Sequence, residues 1–256
     1  MTMGAPSLLT GSSSATDSAS YNTASVTPTA GALVLVLVVS GKASGLSESP
    51  TGVSQGAGGG MGALTKIGEQ AVPNNNLTVT AWEGVGTGVA GVVNILHTNV
   101  MGNCAWQVIE MTSDVATPTV EQVDVFQTAA LTGTQGATLS PSPDPAATVI
   151  GVLGYNAGSA TTPTVGAGFT IIGTRITVNS PTIQLLSEYD ATSPPAQAAF
   201  SIPATNGQAY LAIEVRDGVA APSGYQVTIW NGTSEVPAVL TIWNGTSEVA
   251  AEVSTP

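Results

Sequence analysis

The chain has 256 residues, with 16 Asp or Glu against 4 Lys or Arg, a formal net charge of −12, one His and one Cys. Nucleic-acid binding depends on clustered cations that neutralise phosphates, and an anionic membrane surface makes the same demand. Lys42, Lys66, Arg175 and Arg216 are too few and too scattered for either partner, and with only 8% charged residues the surface must be built from Thr, Ser, Asn, Gln, Gly and Ala.

From the N-terminus, Met1 to Pro6 shows neither the basic nor the apolar region of a secretory signal, so synthesis in a cytoplasm is expected. Short β-branched runs punctuated by Gly, Pro and Asn then follow one another, the pattern of strands and turns. Ala19 to Val26 is the first. Ala32 to Val39 is continuously apolar, as a strand covered on both faces would be, and its 8 residues fall well short of a membrane-spanning helix. Ser44 to Gly60 reads as an exposed, flexible, Gly-rich loop. Next come Gly62 to Ile67, then Leu77 to Trp82, whose alternation of apolar residues with Thr predicts one wet face. Gly91 to Leu96, Cys104 to Met111, Val120 to Phe126 and Ala147 to Leu153 are further strands, with a proline-stiffened connection at Leu139 to Pro145. Phe169 to Ile172, Thr182 to Tyr189, Ala198 to Ile202 and Tyr210 to Val215 complete the set. The reading is all-β: a jelly-roll-like β-sandwich over residues 1–217.

Residues 218–223 read as a linker, and 224–256 as a separate tail. Within it Thr228-Ile-Trp-Asn-Gly-Thr-Ser-Glu-Val236 recurs without change as Thr241-Ile-Trp-Asn-Gly-Thr-Ser-Glu-Val249. Asn-Gly between β-prone runs suits a two-residue type I′ turn, so each copy predicts a hairpin: Val227 to Trp230 with Thr233 to Val236, then Leu240 to Trp243 with Thr246 to Val249. An isolated hairpin is marginal in water, and a Trp needs about 150–250 Å² of cover. The residues Ile229, Trp230, Val236, Ile242, Trp243 and Val249 are the expected inter-subunit or partner interface, the alternative being a tail folded back on its own domain.

Catalytic chemistry finds little footing. His97 is the one imidazole, so a multi-His metal site within the chain is excluded, and no Gly-x-Ser-x-Gly elbow accompanies it. Cys104 reads as a buried structural thiol near a half-exposed His97, and no intrachain disulfide is possible. The carboxylate pairs Glu110/Asp114, Glu121/Asp124 and Glu188/Asp190 have no diagnostic spacing and read as solvated surface charge rather than a calcium site or glycosidase pair. Trp82 and Trp106 sit within strand patterns and read as core. No enzyme activity, catalytic residue, metal or cofactor is expected.

Three features resemble virion structural proteins of tailed bacteriophages, especially those of actinobacteria. They are the Pro28-Thr-Ala-Gly-Ala-Leu-Val-Leu-Val entry to a buried strand, the Trp106-Gln-Val-Ile-Glu-Met111, Gln184-Leu-Leu-Ser-Glu-Tyr189 and Ala212-Ile-Glu-Val215 runs, and the duplicated Trp-Asn-Gly tail. The resemblance implies a head-decoration or minor capsid protein, assembled in the host bacterial cytoplasm onto the capsid exterior as a homo-oligomer, typically a trimer, with the major capsid protein as partner. The alternative it leaves open is a minor tail protein or adhesin whose sandwich binds host-surface glycan.

Overall fold

The Leu- and Val-rich run around residue 35 is buried along its whole length because both faces of the sheet it centres are covered. The computed structural model describes the chain except residues 1–2, 43–45, 57–60, 62–63, 73–76, 115, 129–131, 157–161, 180–181, 204–206, 219–224, 231–234 and 241–256, with backbone alone for 225–230 and 235–240. The chain divides into two units, Met1–Gly218 and Val219–Pro256.

In the first half of the larger unit the strands are β1 (Ser7–Ser14), β2 (Ser18–Val26), β3 (Leu33–Gly41), β4 (Gly52–Gln55), β5 (Thr65–Ala71), β6 (Leu77–Val85), β7 (Gly91–Met101) and β8 (Asn103–Met111). They form a five-stranded sheet, β1-β8-β3-β6-β5, covered by a three-stranded one, β2-β7-β4. The second half holds β9 (Thr119–Thr128), β10 (Gly133–Thr138), β11 (Thr148–Asn156), β12 (Thr170–Ile171), β13 (Ile176–Val178), β14 (Ile183–Asp190), β15 (Gln197–Ile202) and β16 (Gln208–Arg216). These give a large sheet, β12-β14-β11-β16-β9 with β13 also on β14, and a small one, β10-β15. All named pairings are antiparallel. All-β sandwich architecture is thus present, and each half passes its strands between two sheets in jelly-roll-like fashion.

The layers enclose three cores. Side chains alternate across a strand, so Leu35, Leu37 and Val39 of β3 enter the core between the two large sheets, with Ile150, Val152, Leu185, Leu211 and Ile213 from the other half. Val34, Val36 and Val38 enter a second core beneath β2-β7-β4, with Tyr21, Ile95 and Trp106. A third lies beneath β10-β15 and contains Tyr155, Phe200 and Tyr210. Burying one such aliphatic or aromatic side chain is worth about 1.5–3 kcal/mol, and the repetition of that term over three cores stabilises a chain without disulfides.

This layering corrects several expectations. Leu77 to Trp82 has no wet face: Thr78 and Thr80 are buried under the small sheet. Their hydroxyls are satisfied internally, Thr80 Oγ1 by Trp82 Nε1–H at 3.2 Å and Thr78 Oγ1 by Ser47 Oγ at 2.5 Å. The stretch Ser44 to Gly60 is not wholly loop, since Gly52–Gln55 pairs with β7 as β4. Ser7–Ser14 and Gly133–Thr138 are strands despite compositions poor in β-formers, because each pairs with an apolar neighbour, β8 and β15 respectively.

In the smaller unit β17 (Tyr225–Trp230) pairs antiparallel with β18 (Glu235–Leu240), Tyr225 opposite Leu240 and Trp230 opposite Glu235. A two-residue Asn-Gly turn would set Trp230 opposite Thr233; four residues intervene instead, and the expected first hairpin is corrected accordingly. The observed register aligns Tyr225, Val227 and Ile229 with Leu240, Ala238 and Val236, apolar opposite apolar, whereas the two-residue turn would set Ile229 against Ser234. Register follows the hydrophobic pattern. The expected second hairpin, Leu240 to Trp243 with Thr246 to Val249, falls outside the described residues except at Leu240.

Candidate functional site

The place where a potential nucleophile meets a potential base lies beneath the small sheet of the first half. Ser40, near the end of β3, and His97, on β7, bring Oγ and Nε2 to 2.8 Å. Tyr21 stands edge-on to the imidazole with ring centroids 5.8 Å apart, and its hydroxyl proton is shared between two acceptors, Met101 O at 2.9 Å and Thr16 O at 3.1 Å. His97 is buried, not half-exposed: β7 turns that face inward, where it packs with Tyr21. Burial pushes its pKa down to about 4 against a small opposing effect of Glu48, so the ring is neutral at pH 7. Burial likewise raises the Cys104 thiol well above its ordinary range.

Attack on a substrate requires an exposed nucleophile and a third group orienting the base. Ser40 is 0% exposed, and His97 Nδ1 has no hydrogen-bond partner among the described residues. The arrangement supplies packing and one buried hydrogen bond.

The carboxylates serve the fold in the same way, and two of them correct the expectation of solvated charge. Glu188 and Asp190 are buried, because β14 lies between two layers. Glu188 Oε2 accepts from Gly166 N–H at 2.7 Å, its Oε1 has no partner among the described residues, and burial lifts its pKa to about 8. Asp190 Oδ1 accepts from Thr192 N–H at 2.8 Å and Ser193 N–H at 3.2 Å. Glu110 Oε2 accepts from Thr29 N–H at 2.7 Å, and Asp124 Oδ2 from Ser140 N–H at 2.9 Å. Glu214 Oε1 accepts from Asp144 N–H at 2.9 Å and Arg216 Nε–H at 2.7 Å, while Gln122 Nε2 donates to Oε2. Burial works against ionisation of Glu214, yet those donors together with the guanidinium hold it below the usual carboxylate range. No group of three or more His, Cys, Asp or Glu suited to a metal occurs among the described residues.

Surface features are modest. A cleft of about 380 Å³ lies beside Asp144, Thr148, Arg216 and Asp217, where the guanidinium is already committed to Glu214 and, at 3.8 Å, Asp144. Trp82 and Trp106 are core residues, as the sequence predicts, and Tyr21, Tyr155 and Tyr210 are buried as well. The outward side of β7 shows Val92 and Leu96 to solvent, flanking Asn94. Alternation along Gly91 to Leu96 is the sequence signal of this uncharged face.

Of the residues expected to form an interface, the ladder sets Ile229 opposite Val236. Trp230 pairs with Glu235 at the adjacent ladder position. Ile242, Trp243 and Val249 lie outside the described residues. Comparison with protein-family models, curated proteins and solved structures finds no match.

Proposed function

We propose that the protein is a non-enzymatic structural component of a phage virion, a head-decoration or minor capsid protein bound to the outside of the capsid lattice. What supports this reading is the division of the chain into two units, Met1–Gly218 and Val219–Pro256. In the larger unit the buried Ser, His, Cys and carboxylate side chains hold strands and turns together, so that unit is a rigid display body. In the smaller unit the described strands β17 and β18 form a two-stranded ribbon, and a nine-residue sequence of this tail occurs twice. Duplicated short elements suit attachment at many equivalent sites, where multivalency raises effective affinity without strong single contacts. A charge-poor, acidic exterior helps keep such particles dispersed.

The ribbon is the attachment element in this reading, with the major capsid protein or a second copy of the chain, in a homotrimer, as its partner. The glycan-binding alternative has less support, since a saccharide platform needs exposed aromatic rings and the described tryptophans are buried. Quantitative mass spectrometry and antibody labelling of purified virions test the proposal. Hundreds of copies per particle on the head are expected, and a few copies confined to the tail tip would overturn it.

A further inference from the structure

The two halves of the larger unit are the same fold written twice. Strand order β1-β8-β3-β6-β5 in one matches β9-β16-β11-β14-β12/β13 in the other, position for position. The small sheets match too: β2 and β7 correspond to β10 and β15, and the pairing of β4 with β7 is reduced to a single bridge between Thr164 and Ser201.

The correspondence reaches individual residues. In one ladder Val34 stands opposite Glu110, and in the other Val149 stands opposite Glu214. Ahead of each central strand lies the same turn. Ala32 N–H donates to Thr29 O at 3.1 Å, and Ala147 N–H to Asp144 O at 2.9 Å. The facing glutamate then accepts from the turn's own amide, Thr29 N–H to Glu110 and Asp144 N–H to Glu214. The sequence carries the trace as Pro28/Pro143, Ala32/Ala147, Val34/Val149, Ala105/Ala209, Ile109/Ile213 and Glu110/Glu214.

The packing between the halves is reciprocal. β5 lies on β9 and its counterpart β13 lies on β1; β6 lies on β16 and β14 on β8; β11 lies on β6 and β14 on β3. Contacts in which i meets j and the equivalent of j meets the equivalent of i define a two-fold, self-complementary interface. Among the described residues no strand of either half enters a sheet of the other, and residues 112–118 connect β8 to β9.

We infer that residues 7–216 are a homodimer fused into one chain, and that the large sheet of each jelly roll is a docking surface whose fitting partner is a second copy of the same fold. The apolar core between the sheets, not the connecting segment, holds the halves together. This inference is independent of the proposed virion role.

The test places a site-specific protease sequence after Asp114, which is exposed, in the full-length chain, with a second variant carrying it after Ala116. The folded protein is cut, then analysed by native mass spectrometry and light scattering. The expected result is one particle of intact mass holding both fragments one to one, with unchanged circular dichroism. Its unfolding midpoint should now rise with protein concentration, as dissociation demands. Fragments that separate on cutting, loss of structure on cutting, or failure of both insertion variants to fold would each overturn the inference.

Discussion

Ser187 and Gln107 meet across the core shared by the two jelly rolls: Ser187 Oγ–H donates to Gln107 Oε1 at 2.6 Å. Gln107 Nε2 continues to Ile172 O at 3.2 Å and Thr174 O at 3.1 Å. At the equivalent place in the other half stand Leu211 and Ala81. One side of the interface is thus apolar and the other carries a satisfied polar network, which distinguishes the two copies and fixes how they are set against each other.

Gln107→Leu removes the partner of a buried hydroxyl and of two carbonyls. Its expected cost is about 1–3 kcal/mol. The double variant Gln107→Leu/Ser187→Ala reproduces the apolar pair of the other half and should recover part of that loss. Urea denaturation of the two singles and the double measures the coupling, and strict additivity would contradict it.

The large sheets pack closely at Gly154. A β-carbon there would lie 2.1 Å from Val79 Cγ2 and 3.3 Å from Val39 Cγ2, and Val39 is the residue equivalent to Gly154 in the first half. Small opposite large lets the sheets interdigitate. Gly154→Ala should cost about 1–3 kcal/mol by overpacking, and adding Val79→Ala should return some of it.

Two buried ionisable groups give the halves opposite responses to pH. The folded pKa of Glu188 is raised to about 8, so its contribution to stability is complete below the unfolded pKa and lost as pH rises towards and through 8. That of His97 is lowered to about 4, so its contribution is present above the unfolded value near 6.5 and lost as pH falls towards 4. Thermal unfolding across pH 4 to 9 should show Glu188→Gln flattening the alkaline decline and His97→Gln the acidic one. A variant whose profile parallels the parent would refute the assignment for that residue.

The equivalent glutamates differ in load. Glu214 is buried and serves Asp144 N–H, Arg216 and Gln122, whereas Glu110 is partly exposed and, among the described residues, serves Thr29 alone. Glu214→Ala should cost about 2–3 kcal/mol and Glu110→Ala about 1 kcal/mol or less. Equal costs would show that the turn, not the carboxylate, carries the stability.

The sequence states its strands plainly where apolar runs are dense, as at Ala32 to Val39 and Tyr210 to Val215. The polar edge strand Ser7–Ser14 and Gly133–Thr138 escape such a reading, because pairing with a neighbour and not composition makes them strands. The thermodynamics of Thr78 and Thr80 are hidden for a related reason, since alternation with Thr marks a wet face only when no second sheet covers it. The internal duplication is legible only in fragments. Ile109-Glu110 and Ile213-Glu214 stand out as similar runs, yet their common role, holding a turn before the central strand, appears only in three dimensions. Along the ribbon, Asn-Gly suggests the tighter turn, while matching of apolar residues across the strands selects the wider one.

The central claim is that the body displays and the ribbon attaches. Its most direct measurement is occupancy: the chain with and without residues 224–256 is added to particles lacking this protein, and bound copies per head are counted by mass spectrometry. The account predicts that the truncated protein keeps the circular dichroism and cooperative unfolding of the double jelly roll but loses nearly all binding. A truncated chain that fills the particles to the full-length level would contradict it.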